Sequence, residues 1–558
     1  MTGAGAVPPF LAVGEAVRTR VTSLPALGNT GMSSARSHWI IVALATAVLS
    51  TGCASLPPGM DGQKTASTAL AHPEATTLGK RIATREKEHP GLSGFKLVID
   101  GAESFALHLE IAEQAERTLD VQYFLLQQDN TGKLLLRSLL QAADRGVHVR
   151  LLLDDAEAFD KGSAIRPLAA HPNIEIRIFN PFVVRRELSL LRWAEFAVGS
   201  RRLNYRMHNK LFIGDNAVAV TGGRNVGDPY FQASTELELG DFDLAVVGPM
   251  VRSLSRSFDL YWNDRLAIPV SSLASGAPSL AELEACRMDL AANQEKMAGT
   301  DYVRSLPKRD VVARVISGQR LVWARAELSY DPPDKAEVQR AAQPWRLLWE
   351  RVAPALEGAQ REVILITPYL VPGEREMALI RRLRERGVRV RILTNSLAST
   401  DMPIVQTGYM NYRLPLLDAG CELYEVRPLL GKPETGHGLI KSGSSGQFGL
   451  HAKVIVIDRG RAFIGSMNFD QRSLDINTEI GIIIESPQIA KDIASRFEAI
   501  AQPANSYKLE RQATGGAPIQ WITEVDGRTV HFDSDPDVDA GKRTLIRIFS
   551  LLPLETML

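Results

Sequence analysis

Apolar positions along this chain follow two periods, and the alternation between them occurs twice. LDVQYFLL from Leu119 and EVILITPYLV from Glu362 are short and rich in β-branched and aromatic residues, so each predicts a strand. GKLLLRSLLQAADRG and EREMALIRRLRERG follow, with apolar spacing near 3.6, and each predicts an amphipathic helix. RGVHVRLLLDD from Arg145 and RGVRVRILTNS from Arg386 then return to strand character. After a long connection each half reaches a continuous apolar run, Leu211-Phe212-Ile213 or Val454-Ile455-Val456-Ile457, which reads as a strand buried on both faces. The pattern predicts an α/β chain of two lobes from an internal duplication. Each lobe is expected to carry a mixed sheet flanked by helices, with the active site between them.

Immediately before each buried run lies the same polar arrangement. His208-x-Lys210-x4-Asp215 is repeated as His451-x-Lys453-x4-Asp458. Two chance copies would occur in on the order of one in several thousand chains of this length. The copies also agree downstream. Gly222-Gly223-Arg224-Asn225 begins fourteen positions after its histidine, and so does Gly465-Ser466-Met467-Asn468. Further on, Asp243 in DFDLAVVG parallels Glu479 in NTEIGIII, with a seven-residue difference in length. Residues i and i+2 of a strand share a face, so each histidine points the same way as its lysine. An imidazole beside an ammonium, presented twice, suits covalent phosphoryl chemistry. One histidine attacks phosphorus, the other protonates the leaving oxygen, and the lysines offset the phosphate charge. Asp215 and Asp458 complete the motifs, but their odd spacing from the lysine turns them to the opposite strand face, which favours a structural role.

These residues resemble the phospholipase D superfamily, whose HxKxxxxD and G-[GS]-x-N segments occur in two halves. Within it, YRMHNK…GGRNVGD, TNSLASTD…GYMNYRLPLLDAGCELYE and GSMNFDQRSLDINTE are most similar to bacterial cardiolipin synthases of the C type. The likeness covers about residues 90 to 558. It implies that His208 and His451 are the catalytic histidines and that Lys210 and Lys453 bind phosphate. It implies that Asn225 and Asn468 are amide donors to phosphate, with the Ser466 hydroxyl at the same pocket and Gly223 in its place in the first half. Asp243 and Glu479 are expected to orient the histidines. Family habit makes His208 the nucleophile and His451 the acid/base, although the residues themselves leave the reverse open. No metal or other cofactor is expected. The implied reaction is phosphatidyl transfer giving cardiolipin, with phosphatidylglycerol or phosphatidylethanolamine as donor. Hydrolysis to phosphatidate uses the same residues, and a nuclease or an inactive tethered scaffold are the remaining alternatives.

Other residues have less defined expectations. Arg201, Arg202 and Arg206 precede the first motif and offer either a phosphate-binding cluster or a solvated basic face. Arg224 has the same two readings. Tyr123 and Tyr369, at strand ends taken as matching, either line the pocket or pack in the core. Cys286 and Cys421 read as unpaired thiols.

At the N-terminus, WIIVALATAVL (39 to 49) is an apolar run of eleven, too short to span a bilayer and suited to a signal-peptide core. LSTGCAS follows and resembles a lipobox ending at Cys53, the expected lipidation site, with Met32 as an alternative start. Residues 1–53 thus form a leader and 54–90 a flexible tether. The first lobe is expected over 91–267, a helical linker over 268–312, and the second lobe over 313–500. A hairpin turning at Asp526-Gly527 and an amphipathic tail occupy 501–558. GKPETGHGLIKSGSSGQFG reads as a loop before the second motif. The expected setting is a bacterial envelope membrane, with the protein facing the periplasm, at inner or outer membrane. The partners are phospholipids and the membrane surface, and an accessory protein is left open. Composition adds one exclusion: 64 Lys plus Arg against 64 Asp plus Glu provides no broad footprint for nucleic acid.

Overall fold

The computed structural model describes residues 64–155, 164–182, 195, 202–273, 278–307, 311–317, 321–428, 447–512 and 517–550. Cys53, Met32, Arg201, most of the loop before the second motif and residues 551–558 lie outside them. In the first lobe the strands are β1 (Ser93–Val98), β2 (Thr118–Tyr123), β3 (His148–Asp154), β4 (Ile174–Phe179), β5 (Leu211–Gly214), β6 (Val218–Gly222), β7 (Leu237–Gly240), β8 (Asp243–Val247) and β9 (Ala267–Pro269). The second lobe holds β10 (Val322–Tyr330), β11 (Glu362–Ile366), β12 (Leu370–Val371), β13 (Arg389–Asn395), β14 (Glu422–Val426), β15 (Gln447–Leu450), β16 (Val454–Ile457), β17 (Arg461–Gly465), β18 (Phe469–Asp470) and β19 (Ile480–Glu485). Beyond it lie β20 (Ser506–Arg511), β21 (Ile519–Val525) and β22 (Arg528–Phe532).

Parallel pairs β2–β3 and β11–β13 come from the strand–helix–strand units, and antiparallel pairs β2–β5 and β11–β16 attach the motif strands. β10 joins the lobes. Its first residues pair with β1 and the rest with β19, so hydrogen bonding runs unbroken from one lobe to the other.

The apolar motif strands divide their side chains between two cores, as alternation requires. Leu211 and Ile213, with Val454 and Val456, enter a core shared by both lobes. Phe212 instead enters the outer core of the first lobe, and Ile455 and Ile457 that of the second. This double coverage explains why the runs carry no polar residue. It also means that neither lobe owns the central core.

Two expected segments differ. The tether is packed from residue 64 onward: Ser67 N donates to Asn263 Oδ1 at 3.1 Å, Ala69 N donates to Asp259 Oδ2 at 2.9 Å, and Thr77–Glu88 is a helix capped by Thr76. Pro, Ser and Thr there serve caps and backbone contacts rather than a free coil. The expected linker contains a 19-residue helix, Leu280–Ala298, closed by a Ser279–Glu282 capping box. It buries Leu283, Cys286, Leu290 and Met297 in the first-lobe core, so it is part of that lobe. In the C-terminal tail, helix Ala540–Phe549 lies against helix Pro403–Asp418. The hairpin β21–β22 turns through Asp526 and Gly527, both at positive φ.

Candidate active site

Each motif histidine sits just ahead of its strand, where its chain crosses to the other lobe. Met207 bridges Thr478 in parallel, and His208 N donates to Thr478 O at 2.9 Å. In the counterpart, β15 pairs in parallel with β7, and His451 N donates to Gly240 O at 2.8 Å. Each crossing places a histidine beside the carboxylate that follows the partner segment. His208 Nδ1 lies 3.0 and 2.9 Å from the two Glu479 oxygens, and His451 Nδ1 lies 2.7 Å from Asp241 Oδ2. Each histidine takes its carboxylate partner from the other lobe.

Asp243 therefore does not orient a histidine. It accepts from Arg224 Nη1 at 3.0 Å and from Ser104 Oγ at 2.7 Å inside the first lobe. The sheet register explains the substitution. Gly222 pairs with Asp243, whereas Gly465 pairs with Gly481, so the counterpart of Glu479 is two residues before Asp243. In Asp241-Phe242-Asp243 the two carboxylates share a strand face, so local pattern does not distinguish them. The same register shows Gln122 and Ile366 to be equivalent, which sets Tyr123 opposite Thr367 rather than Tyr369. Tyr123 bonds His108 Nε2 at 2.7 Å in the core, whereas Tyr369 bonds Asp401 at 3.0 Å.

Ser466 donates to Glu479 Oε2 and accepts from Ile480 N at 3.0 Å, so its hydroxyl serves the carboxylate. At Gly223 a Cβ would fall 2.2 Å from Asp241 Oδ1. The missing hydroxyl is therefore the space in which the other carboxylate stands. Asp215 and Asp458 are both remote from this pocket. Each occupies a hairpin turn at φ 52° and accepts three backbone N–H groups, from Glu116, Arg117 and Thr118 or from Gln360, Arg361 and Glu362, at 2.7–2.9 Å. They fasten the turn to the start of the neighbouring strand.

Lys210 and Lys453 return to the carbonyls of their own histidines, and Lys453 Nζ is also 2.9 Å from His451 Nδ1. Asn225 Nδ2 donates to the Tyr230 hydroxyl at 3.2 Å, and the amide oxygens of Asn225 and Asn468 are buried with no hydrogen-bond partner. Phe124 meets His208 edge-on at 5.1 Å, and Tyr230 meets His451 likewise at 5.1 Å. The sequence reading missed both rings, and no motif marks them.

Electrostatics follow from burial. Burial pushes Lys210 down to about 7, against the pull of Glu479, and Lys453 down to about 8, against Asp241. It raises Glu479 to about 7, opposed by Lys210 and Ser466. Asp241 is also raised by burial, with Lys453 opposing. Both histidines are driven well below their usual value, first by burial and then by the lysines. Neutral imidazoles beside two buried lysines, whose charged forms a bound anion would favour, suit a phosphodiester.

Residues 109–262 and 352–501 match the family model described as "Cardiolipin synthase, PLD-like domain". The chain is 37% identical over 475 residues to cardiolipin synthase C of Escherichia coli, covering 84% of this chain and 97% of that protein. It is 24% identical to a cardiolipin synthase of Oceanobacillus iheyensis, over 73% of this chain and 68% of that one. Among solved structures, phosphatidylserine synthase of Haemophilus influenzae shares the fold, with TM-score 0.53 at 14% identity, covering 86% of this chain and all of that one. With two matched domains that hold both motifs, and a relative aligned over nearly its full length, the chain belongs to the cardiolipin synthase family of phospholipase-D-like enzymes.

Proposed function

We propose that this enzyme joins two phospholipids into cardiolipin through a phosphohistidine. The observation that carries the reading is the exchange of carboxylates between lobes, Glu479 on His208 and Asp241 on His451, around two buried lysines. Held by Glu479, His208 Nδ1 keeps its proton and Nε2 presents a lone pair. Nε2 attacks the donor phosphorus, a P–N bond forms, and the P–O bond to the headgroup breaks. The charge of the bound phosphodiester favours a protonated His451, whose Nε2 gives its proton to the leaving oxygen. The hydroxyl of a second phospholipid then attacks phosphorus, the P–N bond breaks, and His451 takes the hydroxyl proton. Lys210, Lys453, Asn225 and Asn468 surround the phosphoryl oxygens as their charge grows.

Phosphatidylglycerol or phosphatidylethanolamine serves as donor, at a bacterial envelope membrane to which a lipidated Cys53 would tether the chain. Among the described residues no helix is long and apolar enough to cross a membrane. Full-length protein in mixed micelles with differently labelled phosphatidylglycerol and phosphatidylethanolamine, beside His208→Ala, tests the reading by mass spectrometry of products. Cardiolipin that disappears in the variant is expected, and its label names the donor. Phosphatidate alone would make the enzyme a hydrolase.

A further inference from the structure

The half of the site around His208 carries a cation that its counterpart lacks. Arg206 precedes His208 by two residues on an extended segment, so its side chain leaves the backbone on the same face, roughly 6–7 Å away. Arg206 is 2% exposed, about as sheltered as Lys210 and Lys453 at 1% each. Its Nη1 makes two long contacts, to Asp154 Oδ1 and Asn180 O, both at 3.3 Å. Nε and Nη2 have no hydrogen-bond partner. Those two nitrogens form one edge of the guanidinium, the fork that grips a phosphate or carboxylate with two parallel bonds. Arg472 stands beside it, fixed by Asn204 Oδ1 at 2.6 Å and Asn204 O at 2.9 Å; it feels the charge of Arg206, and its own charge acts on His208. Arg202 is committed elsewhere, to Asn180 Oδ1 and Pro181 O at 2.8 Å each.

The second lobe holds the equivalent backbone without a charge. In the first lobe Met207 N donates to Asp154 Oδ2 at 2.9 Å. In the second, the equivalent Leu450 is held by Asn395, which accepts from its N–H and donates to its carbonyl, both at 2.8 Å. The counterpart of Arg206 is Gly449, where a Cβ would lie 2.8 Å from Ser399 O. One half thus fixes this backbone with a neutral amide and no side chain. The other uses an aspartate that leaves an arginine fork unfilled, and a buried unpaired donor edge costs free energy unless a ligand fills it.

We propose that Arg206, with Arg472 beside it, forms the subsite for the phosphate of the second phospholipid, whose hydroxyl attacks the phosphohistidine. This rests on the transfer reading above. An attacking headgroup hydroxyl carries its own phosphodiester only a few atoms away, and attack brings that anion toward the reacting one. A cation at Arg206 offsets the repulsion. Water and free glycerol bring no phosphate, so the subsite favours a lipid alcohol over both by binding a group that they lack.

Full-length protein with acyl-labelled phosphatidylethanolamine as donor, offered unlabelled phosphatidylglycerol and glycerol together, provides the test. One phosphohistidine then partitions among labelled cardiolipin, labelled phosphatidylglycerol and phosphatidate. In Arg206→Gln, cardiolipin relative to the other two products is expected to fall about tenfold or more, with partial return in Arg206→Lys. A purely structural role would lower all three products together, and an unchanged ratio would overturn the subsite. Should Arg206→Gln not fold, as judged by its melting curve, Arg472→Gln carries the same measurement. Wild-type protein that makes no cardiolipin overturns the transfer reading and the subsite with it. Wild-type synthesis with unchanged ratios in folded variants overturns the subsite alone.

Discussion

His208 and Glu479 are separated by 271 residues in the chain and by 2.9 Å in the fold. His451 and Asp241, 210 residues apart, repeat the relationship at 2.7 Å. Each catalytic histidine candidate therefore depends on the opposite lobe for its tautomer, and the site exists only when both lobes are docked.

Asp241 and Asp243 should separate cleanly by mutation. Asp241→Asn removes the carboxylate on His451, and kcat is expected to fall roughly 10²–10⁴-fold with little change in melting temperature. Asp243→Ala leaves the Arg224 guanidinium buried without its carboxylate, and stability should drop by about 3 kcal/mol. Denaturant titration and product assays of the two proteins side by side check the assignment. Comparable activity loss in both variants, normalised to folded protein, would return Asp243 to the site.

The two supports behind the carboxylates are not interchangeable. Gly223→Ala would force a methyl group into the Asp241 carboxylate, 2.2 Å from Oδ1 before relaxation, and activity should fall about 100-fold. Ser466→Ala removes one hydrogen bond from Glu479 and should cost about tenfold. Steady-state kinetics rank the pair, and a harmless Gly223→Ala would refute the steric argument.

Asp215 and Asp458 belong to the repeated motif but stand in the turns that follow the motif strands. Replacing either with alanine removes the acceptor of three N–H groups and puts alanine at a left-handed φ, for a loss of about 2–4 kcal/mol. Turnover per folded molecule should stay within about twofold of wild type. Asn at either position tolerates the left-handed turn and should be milder. A catalytic role would show as lost turnover at unchanged stability.

Anion binding should take up protons. In the free enzyme Lys210 sits at about 7 and Lys453 at about 8, because burial disfavours their charge. A bound phosphate or vanadate favours the charged forms and raises both values, so between pH 7 and 9 binding draws protons from solvent. Affinity must then fall as pH rises across that window. Deprotonation of Glu479, at about 7, acts in the same direction by adding negative charge. Calorimetry of vanadate binding in buffers of different ionisation enthalpy measures the uptake, and a buffer-independent heat would contradict the lysine values.

Much of this protein was legible in its sequence because it is written in local pattern. The 3.6 and continuous apolar periods predicted both strand–helix–strand units, the repeated His-x-Lys spacing put each imidazole and its lysine on one strand face, and the odd spacing of Asp215 and Asp458 indicated their separation from the site. What the sequence could not decide depends on register between distant segments. Asp241 and Asp243 share a face and a composition, and only the pairing of Gly222 with Asp243 against that of Gly465 with Gly481 shows which one meets His451. Phe124 and Tyr230 reach the histidines from segments with no motif, and the unfilled guanidinium edge of Arg206 is set by its tertiary surroundings. The tether from residue 64 and the helix at 280–298 look polar and loosely constrained one residue at a time. The tether is attached by hydrogen bonds to Asn263 and Asp259, and the helix by burying Leu283, Cys286, Leu290 and Met297 in the first-lobe core, and those partners become neighbours only after the chain has folded.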